Sequence, residues 1–180
     1  MELTANLKQG ETLGDRVMKV NHAGEHGAVN IYRGQIFIAK WRAPELVDEL
    51  SSFMSHELRH RSIFLSELER RDKPRCRSYT LCGVGGYILG VLTGLFGHAA
   101  IAGTTVAVER VVLKHLHVQI NGLTPFDKQA VAAIQLIIDD EQEHHDQADS
   151  DISGTELWAR ILMPIVSIST EFVIWLGMRL

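Results

Sequence analysis

The chain has 180 residues, enough for one domain with a substantial core. Apolar residues make up 46% and charged residues 22%, which excludes a disordered chain. The net charge of −4 gives no electrostatic case for nucleic acid, and the two cysteines, Cys76 and Cys82, fit neither a common zinc motif nor a secreted disulfide scaffold.

Both cysteines read as reduced thiols of a cytosolic protein. Residues 1–14 form a polar tail without the apolar core of a signal peptide. A helix is predicted over residues 15–40, because Met18, His22, Glu25, Val29, Tyr32 and Ile36 recur at three- and four-residue steps. Pro44 suits the first turn of the next helix, which runs to about residue 71. Its inner stripe is Leu46, Leu50, Phe53, Glu57, His60 and Phe64, and Lys73-Pro74 ends it. Residues 79–108 carry no formal charge, with His98 neutral, and glycines interrupt them repeatedly. A helix around Glu109 then runs to about residue 121. Gly122 and Pro125 make the break, with Thr124 placed as an N-cap. The following helix has the stripe Ala130, Ile134, Ile137, Glu141, His144 and Ala148. Residues 149–154 form a turn, and residues 156–180 a last, strongly apolar helix with Pro164 near its first third.

The two stripes repeat each other. Adding 84 to positions 46, 50, 53, 57, 60 and 64 gives 130, 134, 137, 141, 144 and 148. The same shift takes Glu25 to Glu109, Gln35 to Gln119 and Ile36 to Ile120. Each half therefore has a Glu followed by a Glu-x-x-His pair at the same distance. This is the pattern of a duplicated helical hairpin.

Positions i and i+3 share one helical face, so Glu57 and His60 point together, as do Glu141 and His144. All four replace apolar residues on a core-facing stripe. Buried carboxylates are costly unless paired, protonated or bound to a cation, and four glutamates converging in a bundle would repel each other. Two divalent cations remove that conflict. Four carboxylates and two imidazoles make an oxygen-rich set with one nitrogen per metal, which suits iron or manganese better than zinc. The pattern matches the rule for ferritin-like di-metal bundles, one Glu from each of two helices and Glu-x-x-His from each of the other two. In that arrangement Glu57 and Glu141 bridge, Glu25 and Glu109 are terminal, and His60 and His144 bind one metal each.

Two protease-like motifs compete. His56-Glu57-Leu58-Arg59-His60 spells H-E-x-x-H, and His22-Ala23-Gly24-Glu25-His26 spells its inverse. Each would need a third ligand and an active-site cleft. The second repeat has Asp140 where the first has His56, so the duplication selects Glu57 and His60 and leaves His56 outside the set.

Asn21-His22-Ala23-Gly24-Glu25-His26-Gly27-Ala28, followed by Ile31-Tyr32, resembles the opening motif of the demethoxyubiquinone hydroxylase family of ferritin-like di-iron proteins. Thr105-Val106-Ala107-Val108-Glu109 and Asp140-Glu141-Gln142-Glu143-His144-His145-Asp146 resemble its later motifs, in the right order and spacing. The likeness runs over residues 15–180 and includes all six ligand positions. Some relatives carry Tyr where His26 and Leu116 stand, so a tyrosine relay at those places is not expected here.

The resemblance implies an all-α, ferritin-like four-helix bundle of two duplicated hairpins. An apolar crossover helix over residues 75–98 and an extra C-terminal helix over residues 156–180 complete a single domain, residues 1–180. It also implies the reaction. A di-iron monooxygenase hydroxylates the ring of a polyprenylated demethoxyubiquinol in ubiquinone synthesis, using dioxygen and NADH, and the second oxygen atom leaves as water. No Gly-x-Gly-x-x-Gly fingerprint follows a strand, so a built-in nucleotide domain is not evident. The competing readings are another di-iron oxidase, such as a tRNA-modifying hydroxylase, and a ferritin or manganese-catalase type of protein. The implied partners are the quinol substrate, the membrane surface, and a second copy or an accessory lipid-binding protein of the same pathway.

Length alone would let the stretch over residues 79–108 cross a membrane. We expect instead that residues 75–98 return the chain along the bundle. Gly86, Gly90 and Gly94 put small residues four apart, which permits close helix contact in lipid or in protein. The last helix adds Trp158, Ile161, Leu162, Ile165, Ile168, Phe172, Val173, Ile174 and Trp175. Together the two segments form an apolar platform suited to the membrane interface on the cytoplasmic face.

Overall fold

The computed structural model describes residues 3–152 and 157–180. Helix α1 (Leu13–Arg42) begins ahead of the apolar periodicity, because Thr12 and Asp15 cap it reciprocally, each side chain accepting the other's backbone N–H. A 3-10 turn over Pro44–Leu46 puts the proline where its missing N–H costs nothing and leads into α2 (Val47–Arg70). There follow α3 (Tyr79–Leu95), α4 (His98–Leu123), α5 (Lys128–Gln135), α6 (Ile138–Ser150) and α7 (Leu157–Gly177).

Helix α1 packs on α2, and α4 packs on α6, so the two predicted hairpins form the bundle. Their buried stripes make two apolar clusters. One contains Leu46, Leu50 and Phe53 with Tyr32 and Ile101, the other Phe64 and Leu68 with Leu116, Ile134 and Ile137. On α2, Glu57 and His60 fall between Phe53 and Phe64, so a polar layer separates the two clusters.

The apolar segment over residues 79–108 holds two helices, α3 and the first part of α4. It breaks at Phe96–Gly97, where Gly97 takes φ 83°, a conformation that favours glycine. The helix carrying Glu109 starts at His98, where the expected crossover over residues 75–98 ends. Thr124 is not an N-cap. It closes α4, donating its hydroxyl to the Ile120 carbonyl, while Asp127 caps α5 by accepting from the Ala130 N–H. The stripe from Ala130 to Ala148 is interrupted at Leu136–Ile137, where the Ile137 N–H turns back to the Ile134 carbonyl and tightens the backbone. Gly154 and Glu156, expected to end a turn and begin the last helix, lie outside the described residues, as does the side chain of Trp158.

The crossover and the C-terminal helix are equivalent parts of the duplication. Helix α3 lies on α1, and α7 lies on α4. A Cβ added at Gly86 would run into the Gly27 carbonyl, and one at Gly90 into the Ile31 carbonyl, so the glycine stripe lets α3 meet α1 backbone to backbone. In the second half Ser167 on α7 donates to the Ala107 carbonyl on α4. The offsets, 86 − 27 = 59 and 167 − 107 = 60, nearly coincide. The repeating unit is thus three helices, α1–α2–α3 and α4–α5/α6–α7. The outer faces of the third helices remain apolar and exposed, at Val84, Ile88 and Leu92 on α3 and at Ile165, Ile168 and Phe172 on α7.

Candidate di-metal centre

Six side chains from α1, α2, α4 and α6 meet in the polar layer: Glu25, Glu57, His60, Glu109, Glu141 and His144. None is more than 6% exposed. Their candidate donor atoms form two overlapping groups, each within 4.8 Å throughout. Glu25, Glu57, His60 and Glu141 make one, and Glu57, Glu109, Glu141 and His144 make the other. Glu57 and Glu141 belong to both. His60 Nδ1 lies 2.9 Å from Glu141 and 3.8 Å from Glu57, while His144 Nδ1 lies 3.2 Å from Glu57 and 3.9 Å from Glu141.

The layer is unsatisfied by the protein alone. Glu57 Oε1, Glu141 Oε1, His60 Nδ1 and His144 Nδ1 are buried without a well-formed hydrogen bond among the described residues. Buried polar atoms of this kind require an explanation, and cations between them supply one. Burial, reinforced by Glu57 and Glu141, pushes the Glu25 and Glu109 carboxyls well above the usual range. Burial also opposes charge on Glu57, but His144 and His60 outweigh it and hold this carboxyl low. Burial disfavours the charged His60 ring too, yet Glu141 and Glu57 raise it to about 10. Without a cation, burial thus pushes Glu25 and Glu109 toward their neutral, protonated forms. The donor set, four carboxylates and two imidazole nitrogens, fits two hard or borderline divalent ions, with one histidine for each.

The surrounding residues complete the layer. Tyr32 Oη lies 3.5 Å from Glu109 Oε1. At the register-equivalent place in the other half, 32 + 84 = 116, stands Leu116, and the space beside Glu25 is open. His22 and His26 join neither donor group. Both stack on Tyr79, so the inverse motif around Glu25 does not assemble. His56 is not in the donor set either. Its Nδ1 lies 3.0 Å from Nε2 of His144, on the side of the ring away from the carboxylates. Asp140 takes the same place on His60, 2.7 Å from Nε2, and pairs with Arg59. Spacing alone had left His56 without a role. The 84-residue shift pairs His56 with Asp140, but it does not show that each faces the histidine of the other half.

A cavity of about 350 Å³ reaches the layer at Glu25, Glu57, Glu109 and Glu141. Its walls come from α1, α3, α4 and α7, and they are mainly apolar. Leu81, Ile88 and Leu92 line it on α3 and are about half exposed, so it opens on the apolar outer surface. Gly24 faces it, and a Cβ there would touch nothing within 4 Å. Deep in the wall Asn21 and Gln119 form a reciprocal amide pair at 2.8 and 3.0 Å. Each amide keeps one N–H and one acceptor lone pair beyond that pair.

The family described as "Ubiquinone biosynthesis protein COQ7" matches residues 12–177. A "NADPH-dependent 3-demethoxyubiquinone 3-hydroxylase, mitochondrial" of Dictyostelium discoideum is 32% identical over 171 residues, covering 92% of this chain and 76% of the relative. A "3-demethoxyubiquinol 3-hydroxylase" of Xylella fastidiosa is 31% identical, covering 84% and 72%. One of the same description from Rhodospirillum rubrum is 27% identical, covering 92% and 77%.

Proposed function

Because the chain belongs to the COQ7 family of ubiquinone biosynthesis proteins, we propose that it hydroxylates the ring of a polyprenylated demethoxyubiquinol at a di-iron centre. The observation that carries this reading is an apolar cavity leading from an apolar surface to the four glutamates. In this reading the chain acts as one ferritin-like domain. Glu25 and Glu109 are terminal ligands, Glu57 and Glu141 bridge, and His60 and His144 give one nitrogen to each iron. When bound, the iron pair would supply dioxygen activation for monooxygenation.

The remaining work falls to the chain. The walls of the cavity exclude water and receive the ring, and the spare donors and acceptors of Asn21 and Gln119 meet the ring oxygens. The prenyl tail leaves between α3 and α7 toward lipid. Helix α7 contains one stretch, Arg160–Gly177, long and apolar enough to cross a membrane. It nevertheless runs along the bundle, with Val166 buried and Glu171 paired to Lys114 and His115 of α4. We therefore read the protein as peripheral, its α3 and α7 faces in the interface on the cytoplasmic side, alongside a second copy or an accessory lipid-binding protein. Reducing equivalents come from a nicotinamide dinucleotide. NADH was the expectation from the sequence, whereas the name of the Dictyostelium relative specifies NADPH, so both belong in the assay. An iron-storage or manganese-catalase role leaves this cavity without a purpose.

The test is turnover of a short-tailed demethoxyubiquinol analogue by iron-loaded protein with dioxygen and either reductant. Hydroxylated product, absent with zinc-loaded protein, supports the reading. Iron-loaded protein that consumes no analogue refutes it.

A further inference from the structure

We propose that His56 is a positioning residue for His144, and that the two metal positions are electronically unequal because His144 is backed by an imidazole and His60 by a carboxylate. The inference rests on the di-metal reading and goes beyond it. The two contacts are register equivalents, since 56 + 84 = 140 and 60 + 84 = 144. Each crosses between the halves: Asp140 on α6 meets His60 on α2 at 2.7 Å, and His56 on α2 meets His144 on α6 at 3.0 Å.

The geometry dictates the tautomers. Both ligand rings turn Nδ1 toward Glu57 and Glu141, where a bound metal would take the lone pair. The proton of each ring then sits on Nε2 and points outward. His60 donates it to the Asp140 carboxylate. His144 donates it to Nδ1 of His56, which must accept and so carries its own proton on Nε2. Outer partners of this kind fix the orientation and tautomer of a ligating histidine and raise its basicity. A carboxylate draws the N–H proton harder than a neutral imidazole nitrogen does. His60 is therefore the stronger electron donor, and the metal it shares with Glu25 is the more easily oxidised of the two. A second asymmetry acts in the same direction. The Tyr32 hydroxyl reaches Glu109, on the His144 side, and its register counterpart Leu116 has nothing to offer Glu25.

The experiment is anaerobic titration of metal-free protein with ferrous iron, followed by Mössbauer spectroscopy of the diferrous state. It compares wild type with His56→Leu, His56→Gln, His56→Asp and Asp140→Leu, with circular dichroism to check the fold of each. His56→Leu should weaken one of two irons by about 10- to 100-fold and leave the other unchanged. His56→Gln, whose side-chain oxygen can accept the Nε2–H, should restore most of that affinity. His56→Asp should make the two quadrupole doublets converge, and Asp140→Leu should weaken the other iron. If folded His56→Leu binds both irons with wild-type affinity and an unchanged spectrum, His56 does not position His144. The idea also fails if His56→Leu and Asp140→Leu weaken the same iron. Wild-type protein that takes up no iron overturns the di-metal reading itself, and this inference with it.

Discussion

Glu57 on α2 lies 3.2 Å from Nδ1 of His144 on α6, across the boundary between the two halves. The converse contact, Glu141 to His60, is 2.9 Å. Each Glu-x-x-His pair thus completes the site begun by the other, and Glu57 and Glu141 belong to both donor groups. Glu57→Ala or Glu141→Ala should therefore empty both metal positions, while Glu25→Ala or Glu109→Ala should empty mainly one. Turnover should fall at least about 1,000-fold for the first pair, a barrier increase of about 4 kcal/mol. Elemental analysis of the purified variants checks the difference. Loss of a single metal from Glu57→Ala would contradict bridging.

Metal loading should release protons. In the metal-free layer burial and neighbouring carboxylates hold protons on Glu25 and Glu109, and His60 is raised to about 10. His60 holds a proton at pH 7 that it must give up to bind a cation, and the raised carboxyls add to it, so loading should release more than about one. Calorimetry in buffers of different ionisation enthalpy measures this number, and a release below about one would refute the assignment. The stability of the metal-free protein follows with the same sign. These raised groups bind more protons folded than unfolded, so stability is lost as pH rises, from about 4.5 upward for the two carboxyls and from about 6.5 toward 10 for His60. Thermal melting should show that loss in metal-free protein and its reduction in the loaded form.

Gly24 lies inside a long helix, where glycine costs about 0.5–1 kcal/mol relative to alanine. Space does not demand it, because a Cβ there is unobstructed. The side chain would enter the cavity beside Glu25. Gly24→Ala should therefore raise thermal stability with modest effect on turnover. Gly24→Leu should fold and bind iron normally yet lose at least about tenfold in kcat/KM, about 1.4 kcal/mol. Normal kcat/KM in Gly24→Leu would mean that the ring does not use this cavity.

The six metal-site candidates were legible because two features coincide, helical i, i+3 spacing and an 84-residue register. Glu25 and Glu109 have no Glu-x-x-His partner of their own, and the register and the family motifs around them brought them into the set. The boundaries were harder. Thr12 and Asp127 cap through side-chain hydrogen bonds that periodicity does not encode, and Thr124 has the right chemistry for a cap in the wrong place. The role of α3 and α7 as equivalent third helices was hidden because apolar residues are interchangeable on an outer face. The glycine contacts of Gly86 and Gly90, together with Gly34 against the α3 backbone, mark α3 as a partner of α1. The Asn21–Gln119 pair was invisible because its two members come together only when α1 and α4 pack.

The exposed rows on α3 and α7 should hold the protein at a lipid surface. Val84 and Leu95 on α3 and Ile168 on α7 are 57%, 46% and 71% exposed. None of the three lines the cavity. Replacing them together with lysine should leave iron content and turnover of a short-tailed analogue unchanged. The variant should move from the pellet to the supernatant when sedimented with neutral phosphatidylcholine vesicles, because binding scales with buried apolar area. Unchanged co-sedimentation would show that these faces are not the docking surface.

The most direct test of the account follows the oxygen atom. Iron-loaded protein is given the short-tailed demethoxyubiquinol analogue, NADPH and ¹⁸O-labelled dioxygen, and the product is read by mass spectrometry. The account predicts a ring-hydroxylated product carrying one labelled oxygen, and none from Glu57→Ala. Label-free hydroxylation, or iron-loaded protein that reduces dioxygen while leaving the ring untouched, would contradict it.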